Sequence, residues 1–140
     1  MPIGLTDEMT EAVNRALEDR MPCIVATASV EGMPDLSYRG SVFAYDREHL
    51  AFWERAKGET LRNLESNAQA AVFYRNHQTR QNWRFYGSVT VLRDGAQREE
   101  IMGRVHPFEL AQDPDRTGVA VLIRVDRVRS GSDTIMTREG

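Results

Sequence analysis

The chain has 140 residues, 41% of them hydrophobic, and a formal net charge of -3. This length fits one domain over residues 1–140, which would bury about two thirds of the surface of the unfolded chain. The acidic balance excludes an overall positive field, so we expect no nucleic acid partner. No apolar run reaches the roughly 18 residues of a membrane-spanning helix and the first residues are polar, so we expect a cytoplasmic protein with no membrane partner.

The first predicted element is an amphipathic helix near the N-terminus. Apolar residues recur at helical spacing from Leu5 to Leu17. Thr6 is a suitable N-cap, and Asp7 and Glu8 would lie in the first turn, where carboxylates are favourable. The spacing therefore predicts a helix with one face against the core.

Six strands are predicted after this helix. Their segments are CIVATASV (23–30), DLSYRGSVFAY (35–45), HLAFW (49–53), QAAVFYR (69–75), NWRFYGSVTVLR (82–93) and GVAVLIRVDRVR (118–129). Further helices are predicted from Gly58 or Glu59 onward and over residues 95–105. Because strands and helices do not alternate regularly, the pattern predicts an antiparallel sheet, and a closed or partly closed barrel would cover its edges. The predicted fold class is mainly β with flanking helices.

The second predicted strand has two different faces. The face predicted to lie in the core, which includes Gly40, carries Leu36, Tyr38, Val42 and Ala44. The opposite face carries Ser37, Arg39 and Ser41. Because Gly40 permits close approach, this polar row could cradle an oxyanion. An ordinary solvated strand face is the alternative.

The segment WERAKGETLRNLESN, residues 53–67, joins an aromatic strand end to a helix through a short loop. A stripe of apolar residues predicts the packed face of this helix: Leu61, Leu64 and Ala68. The first N–H groups of the helix, together with Lys57 and the hydroxyl of Thr60, suit a phosphate group. Glu59 opposes this interpretation because its carboxylate would compete with an anion. A solvated loop before a packing helix is the alternative.

Metal and hydrolytic chemistries find no supporting pattern. The three histidines are far apart in the sequence: His49, His77 and His106. The single cysteine, Cys23, cannot form a disulfide within the chain or build a zinc site, and it is predicted to be a buried structural thiol. Nucleophile-elbow, Walker and dinucleotide-binding motifs are absent from the sequence. The basic cluster RNHQTRQNWR, residues 75–84, is interpreted as a cationic hairpin tip, and no metal site is predicted.

Four segments follow one another in a recognisable order. They are IVATASVEGMPDLSYRGSVFAYD (24–46), LAFW (50–53), TLRNLESNAQAAVFY (60–74) and WRFYGSVTVL (83–92). This order resembles the pyridoxamine 5'-phosphate oxidase-like family, the FMN-binding split barrels. The resemblance implies a six-stranded antiparallel split β-barrel. It also implies a homodimer with one FMN in each of two clefts at the subunit interface.

The resemblance also implies which residues hold the cofactor. They are Arg39, Gly40, Ser41, Trp53, Glu54, Lys57, Gly58, Thr60, Asn63, Asn82, Trp83 and Arg84. Arg39 matches an arginine that approaches the flavin phosphate, and the loop before the second helix would also bind this phosphate. Asn82 and Trp83 would lie near the ring edge or across the subunit interface. No catalytic residue is implied.

The sequence departs from true pyridoxamine 5'-phosphate oxidases at several positions. Those enzymes have threonine at the position of Glu54 and a Ser-Arg-Lys run in the loop where this chain has Gly58, Glu59 and Thr60. A further lysine after the second-strand arginine is missing here. The final residues, VRSGSDTIMTREG, lack the arginine and histidine that hold pyridoxal phosphate. We therefore do not expect oxidation of vitamin B6.

The function expected from the resemblance is an FMN-dependent oxidoreductase. It would transfer two electrons with a small-molecule substrate or a nicotinamide donor as its partner. A flavin-binding or sensing protein without turnover is one alternative, and a deazaflavin-binding reductase is another. Haem is the least favoured cofactor because no histidine lies on the implied site segments.

Overall fold

The structure is a computed structural model that describes residues 1–138. Within this range the chain forms α1 (Asp7–Asn14), β1 (Cys23–Ala28), β2 (Pro34–Arg39), β3 (Phe43–Asp46), β4 (His49–Glu54), α2 (Glu59–Ser66), β5 (Gln69–Arg75), β6 (Asn82–Leu92), α3 (Ala96–Arg104), α4 (Pro107–Leu110), β7 (Val119–Ser130) and β8 (Asp133–Thr137). The predicted fold class is confirmed. Eight strands replace the predicted six because the second predicted strand is broken into β2 and β3, and because β8 was not predicted.

One antiparallel sheet contains these eight strands in the order β2-β1-β5-β6-β7-β4-β3, with β8 paired to β7. β2 and β3 lie at opposite ends of this order, yet only residues 40–42 join them, so the two ends of the sheet lie close together. Ser41 ties this junction to β4: its Oγ accepts a hydrogen bond from the backbone N–H of Trp53 at 3.0 Å. The sheet therefore curls into a barrel. Because β2 and β3 do not pair with each other over residues 1–138, this barrel is open along one seam.

The faces of β2 are the reverse of those predicted. Leu36 and Tyr38, predicted to be core residues, are 68% and 67% exposed. Arg39 instead lies directly across from the buried Cys23 of β1, on the inner side of the sheet. Val42 and Ala44 are buried as predicted, so the prediction was wrong only for Leu36 and Tyr38, because a turn at Gly40 interrupts the alternation and β3 begins with its own phase.

Two apolar clusters fill the interior. The larger lies between the sheet, α1 and α2, and includes Val13, Leu64 and Phe85. The smaller lies between α3 and strands β3, β4 and β7, and includes Trp53 and Ile101. These clusters fix α2 and α3 against the sheet and thereby position the loops next to them.

Local sequence signals predicted the N-cap of α1 and most of the packed face of α2. The Oγ1 of Thr6 accepts a hydrogen bond from the N–H of Met9, so the predicted N-cap of α1 is confirmed. Leu61 and Leu64 are buried as predicted, whereas Ala68 lies beyond the end of α2 and is exposed. Among the helices of residues 1–138, none is long and apolar enough to cross a membrane.

Cys23 lies in the larger cluster and is 1% exposed. Burial raises the pKa of its thiol to about 12, because the apolar surroundings disfavour a thiolate. The prediction of a buried structural thiol is confirmed.

Candidate functional site

Arg39, the last residue of β2, is the centre of the candidate site. Its Nε donates to Glu54 Oε1 at 2.8 Å, and its Nη2 donates to Glu54 Oε2 at 3.3 Å and to Thr60 Oγ1 at 3.0 Å. Its Nη1 donates to Ser37 Oγ at 2.6 Å and to the Tyr38 carbonyl at 2.9 Å. A guanidinium has five N–H donors. All five are therefore engaged by protein acceptors.

Glu54, the last residue of β4, balances the charge of Arg39. Its side chain is only 1% exposed, while that of Arg39 is 20% exposed. A buried carboxylate is costly unless it is paired and hydrogen-bonded, and the two bonds from Arg39 meet that requirement. The pair holds the end of β4 against the end of β2.

The N-terminus of α2 faces this pair. Thr60 lies in its first turn, is buried, and accepts a hydrogen bond from Arg39. The N-cap residue, Gly58, provides no side-chain hydrogen bond to the first turn. Lys57 precedes it, is exposed, and has a backbone φ of 53°, an uncommon conformation for a residue other than glycine. The loop therefore presents a cation and uncapped N–H groups, a combination that suits an anion.

Trp53 is fixed rather than available to a ligand. It is 3% exposed, and its Nε1 donates to Asp113 Oδ2 at 2.9 Å. The guanidinium carbon of Arg98 lies 4.8 Å from the centre of the Trp53 ring. A side-chain carbon added at Gly118 would lie 2.6 Å from Trp53 Nε1, so only glycine fits there. These contacts fix the end of β4 and thereby the position of Glu54, the next residue.

Asp113 lies in the loop between α4 and β7. Its carboxylate accepts hydrogen bonds from the N–H groups of Thr117 and Gly118 as well as from Trp53. Burial would raise the pKa of Asp113, but these hydrogen bonds outweigh burial and hold the pKa below its ordinary value. Asp113 therefore acts as an ionised anchor for the loop and for Trp53.

Three other implied residues support the site without facing a ligand. Asn63 is buried and donates from Nδ2 to Thr27 Oγ1 at 3.0 Å, which docks α2 on β1. Ser41 is buried and bonded to the backbone of β4. At Gly40 a side-chain carbon would lie 2.9 Å from Leu17 and 3.0 Å from Glu109, so the close approach there comes from the protein itself.

The residues implied from β6 do not join this cluster. Trp83 is 3% exposed and stacks on Tyr74 in the core, with ring centres 5.5 Å apart. Arg84 lies on the outer side of the sheet, 4.7 Å from the Phe73 ring, and Asn82 Oδ1 accepts from the Gly131 N–H at 3.1 Å. In one chain, therefore, Arg84 and Arg39 cannot bind the same group.

The pairing of residues between neighbouring strands gives the distance between Arg84 and Arg39. Arg84 pairs with Phe73, which pairs with Ile24, which pairs with Tyr38. Three interstrand steps separate β6 from β2, or about 14 Å, and Arg39 points to the other side from this row.

The cavities of one chain are small at the candidate site. A cavity of about 90 Å³ adjoins the Arg39 pair, and the residues that line it are Tyr38, Arg39, Trp53, Glu54, Arg55, Ala56 and Glu109. A larger cavity, about 420 Å³, lies instead between the end of α1, the turn after β2 and the segment after α3. Sites for small molecules and cofactors usually measure about 300–1,000 Å³. The space beside Arg39 therefore does not enclose such a ligand by itself.

Two contributors to the site were not among the implied residues. Ser37 accepts a hydrogen bond from Arg39, and its position on the polar row of the second strand was the signal that could have found it. Glu109 lines the Arg39 cavity but lies 55 residues beyond Glu54 in the sequence, with no motif to mark it. Within residues 1–138 no group of three or more metal-binding side chains occurs.

Comparison with solved structures gives the fold. HupZ from Group A Streptococcus aligns with a TM-score of 0.74 and 20% identity, covering 95% of this chain and 98% of that one. An FMN-binding protein from Syntrophomonas wolfei aligns with a TM-score of 0.71 and 11% identity, covering 90% and 88%. An F420 reductase aligns with a TM-score of 0.57 and 18% identity, covering 78% and 89%.

A comparison with curated proteins gave no match. The sequence profile of the pyridoxamine 5'-phosphate oxidase family matches residues 9–130. That span contains β1 to β7 and all the residues implied to bind the cofactor. The chain belongs to the pyridoxamine 5'-phosphate oxidase family.

Proposed function

We propose that this protein binds FMN and uses it as a two-electron oxidoreductase. The observation that carries the proposal is the convergence of Arg39, Thr60 and the uncapped first turn of α2 in a member of this family. A solved structure of similar fold is named an FMN-binding protein, which supports the choice of cofactor.

The phosphate end of FMN is assigned to the N-terminus of α2. Backbone N–H groups and the helix dipole favour an anion there, and Lys57 adds an exposed positive charge. Arg39 can donate from Nη1 to the phosphate if the phosphate displaces the hydroxyl of Ser37 as the acceptor. The residues present therefore fit a phosphate group, although the carboxylate of Glu54 lowers the net positive charge of the site.

The ring of FMN is assigned to a cleft between two copies of the chain. The cavity beside Arg39 is too small for a flavin, whereas a second copy could enclose one. The outer face of β2 exposes Leu36 and Tyr38, which gives this second copy an apolar surface to cover. Arg84 lies on the same outer side, so it would act on the cofactor bound by the other copy.

Bound FMN would supply the electron-accepting chemistry, and the protein would supply binding and orientation. Arg84 of the partner subunit is our choice for the cation near the ring. The substrate is a small molecule, or a nicotinamide that donates electrons, and vitamin B6 oxidation is not proposed. We further propose that the protein acts in the cytoplasm.

A deazaflavin is the second candidate cofactor. One solved structure of the same fold is named an F420 reductase, and F420 is a deazaflavin. Both cofactors carry a phosphate on the ribityl chain, so the contacts at α2 do not discriminate between them. Titration with each cofactor would do so.

The first test is an absorption spectrum of the purified protein before and after addition of FMN and removal of the excess. We expect flavin bands at one FMN per chain, followed by steady oxidation of NADH or NADPH. Bound flavin without turnover would instead favour the non-catalytic binding or sensing alternative. A protein that releases all FMN and binds F420 would transfer the proposal to the deazaflavin.

A mixing experiment tests the shared cleft. Lys57→Gln and Arg84→Met should each weaken FMN binding when all chains carry the same change. In a mixed dimer one cleft receives both changes and the other receives neither, so FMN capacity should recover in about half of the mixed clefts. No recovery on mixing would place Arg84 outside the partner's cleft, since both lesions would then act within their own chain.

A further inference from the structure

The strongest unexplained feature of the site is a carboxylate at the cation expected to bind phosphate. Glu54 is 1% exposed and occupies the Nε and Nη2 edge of Arg39. That edge is one of the two on which an arginine binds an oxyanion through two parallel hydrogen bonds. A phosphate therefore cannot use this edge while Glu54 holds it.

The remaining edge of Arg39 is also engaged. Nη1 donates to Ser37 and to the Tyr38 carbonyl. An anion there must displace one of these acceptors and gains no uncompensated positive charge from the pair. A second carboxylate, Glu109, lines the same cavity as the cations Arg39 and Arg55. The cavity is thus balanced in charge.

Lys57 differs from Arg39 in its exposure and, over the part of the chain that the structure describes, in its lack of an ion pair. It is exposed, and no ion pair of Lys57 occurs among residues 1–138. The exposed Arg55 has no ion pair among these residues either, so the unpaired positive charge of the site lies on the loop of Arg55 and Lys57, next to the first N–H groups of α2. Any preference for a phosphate must come mostly from this loop.

We infer that Glu54 is the residue that sets how strongly this site prefers a phosphorylated ligand to the same ligand without its phosphate. The inference rests on the proposed function for the identity of that ligand, FMN, but it can be tested with inorganic phosphate alone. Removal of the Glu54 charge leaves the charge of Arg39 unpaired, and the preference for the phosphorylated ligand rises. In the unaltered protein the preference depends on Lys57 more than on Arg39.

The test compares FMN with riboflavin, which lacks only the phosphate. The dissociation constant of riboflavin divided by that of FMN isolates the phosphate contribution, because the ring contacts of the two ligands cancel. Glu54→Gln should raise this ratio about tenfold, as expected for loss of one negative charge a few ångströms away in a partly screened site. The matched control is Glu31→Gln, the same change in an exposed turn at the opposite end of β2, and it should leave the ratio unchanged.

A complementary substitution does not disturb the buried pair. Lys57→Gln, at an exposed position, should remove most of the FMN preference. If instead Lys57→Gln leaves the preference intact and Glu54→Gln lowers it, Glu54 acts only by holding Arg39 in place, and the inference is overturned. Glu54→Thr serves as a second variant if Glu54→Gln folds poorly, because threonine is smaller and carries no charge.

Inorganic phosphate provides a readout without flavin. At a fixed concentration, a ligand that binds only the folded state raises the unfolding temperature more the more tightly it binds. We expect phosphate to stabilise Glu54→Gln more than the unaltered protein or Glu31→Gln. If no variant binds FMN but Glu54→Gln gains this extra stabilisation, the proposed cofactor fails and the inference stands. If the variants respond alike to phosphate, the inference fails whatever the outcome with FMN.

Discussion

Arg39 and Arg84 lie on opposite sides of one sheet and differ in what balances their charge. Arg39 faces inward and is paired with a buried carboxylate, so its charge is spent within the chain. Arg84 faces outward, stacks on Phe73, and bonds to the Gly131 carbonyl and the Asn82 amide oxygen. A neutral acceptor leaves the positive charge of Arg84 uncompensated. The same residue type therefore organises the chain at one position and is available to a second molecule at the other.

The largest effect is expected from breaking the inner pair. Arg39→Met leaves the Glu54 carboxylate buried without a cation and should lower the free energy of unfolding by about 3–5 kcal/mol. The double substitution Arg39→Met with Glu54→Met should recover most of this loss, because a buried pair can be replaced by apolar side chains at little cost. Urea unfolding of the single and double variants measures both values.

Arg84→Met is the control on the outer side. Since Arg84 has neutral partners and is partly exposed, its loss should change the unfolding free energy by no more than about 1 kcal/mol. Equal destabilisation by Arg39→Met and Arg84→Met would show that the two arginines do not differ as described.

The outer side can be tested through association. Leu36→Ser removes an exposed apolar side chain and should raise the dissociation constant of the proposed dimer about tenfold to hundredfold, with little change in the fold of each chain. Phe108→Ser, at a residue that is 60% exposed on α4, is the control. Sedimentation equilibrium would distinguish them, and a Leu36→Ser protein that associates as tightly as Phe108→Ser would remove this face from the interface.

A smaller effect is expected at Asp113, where N–H dipoles rather than an arginine balance a buried carboxylate. Asp113→Asn should lower the free energy of unfolding near neutral pH by about 1–3 kcal/mol, because a charged hydrogen-bond acceptor is lost.

The pH dependence of this loss follows from the direction of the pKa shift. The folded state holds the pKa of Asp113 below its ordinary value of 3.8, so its stabilisation is complete above pH 3.8 and disappears as the pH falls through the folded pKa. Urea unfolding of both proteins at a series of pH values should therefore show the difference shrinking only in acid. A difference that persists unchanged at the lowest pH would mean that Asp113 is not ionised in the folded protein.

The smallest change uses Cys23 as a reporter of the inner side. Cys23 lies across from Arg39, and burial raises the pKa of its thiol to about 12. A thiol reagent at pH 8 should therefore not modify the folded protein. Arg39→Met should expose Cys23 to the reagent through more frequent opening of β2, whereas Arg84→Met should not. Rapid modification of the unaltered protein would contradict the burial of this thiol.

Much of the fold could be predicted from local patterns. The helical spacing and the cap at Thr6 located α1, and runs of β-branched and aromatic residues located strands β1, β4, β5, β6 and β7. These signals depend on neighbours within a few residues, so the sequence shows them directly. The break after Arg39 and the strand β8 were missed, because a turn within an alternating segment and a short terminal strand leave weak local patterns.

The candidate site was predictable only in part. The grouping of Arg39 with the loop before α2 was expected, and the hydrogen bond from Arg39 to Thr60 brings the two together. The roles of Glu54, Asn63 and Trp83 could not be derived, since each depends on a partner far away in the chain or on which side of the sheet it faces.

The sequence by itself determined where most of the strands and helices lie and which residue types gather near the start of α2. Only the tertiary structure decided that Arg39 faces inward to Glu54 while Arg84 faces outward. The physical reason is that strand alternation has two possible phases, and in β2 the apolar row of Leu36 and Tyr38 faces outward although local sequence favours it for the core. The order of strands in the sheet makes that choice, because it decides which row of side chains meets the core.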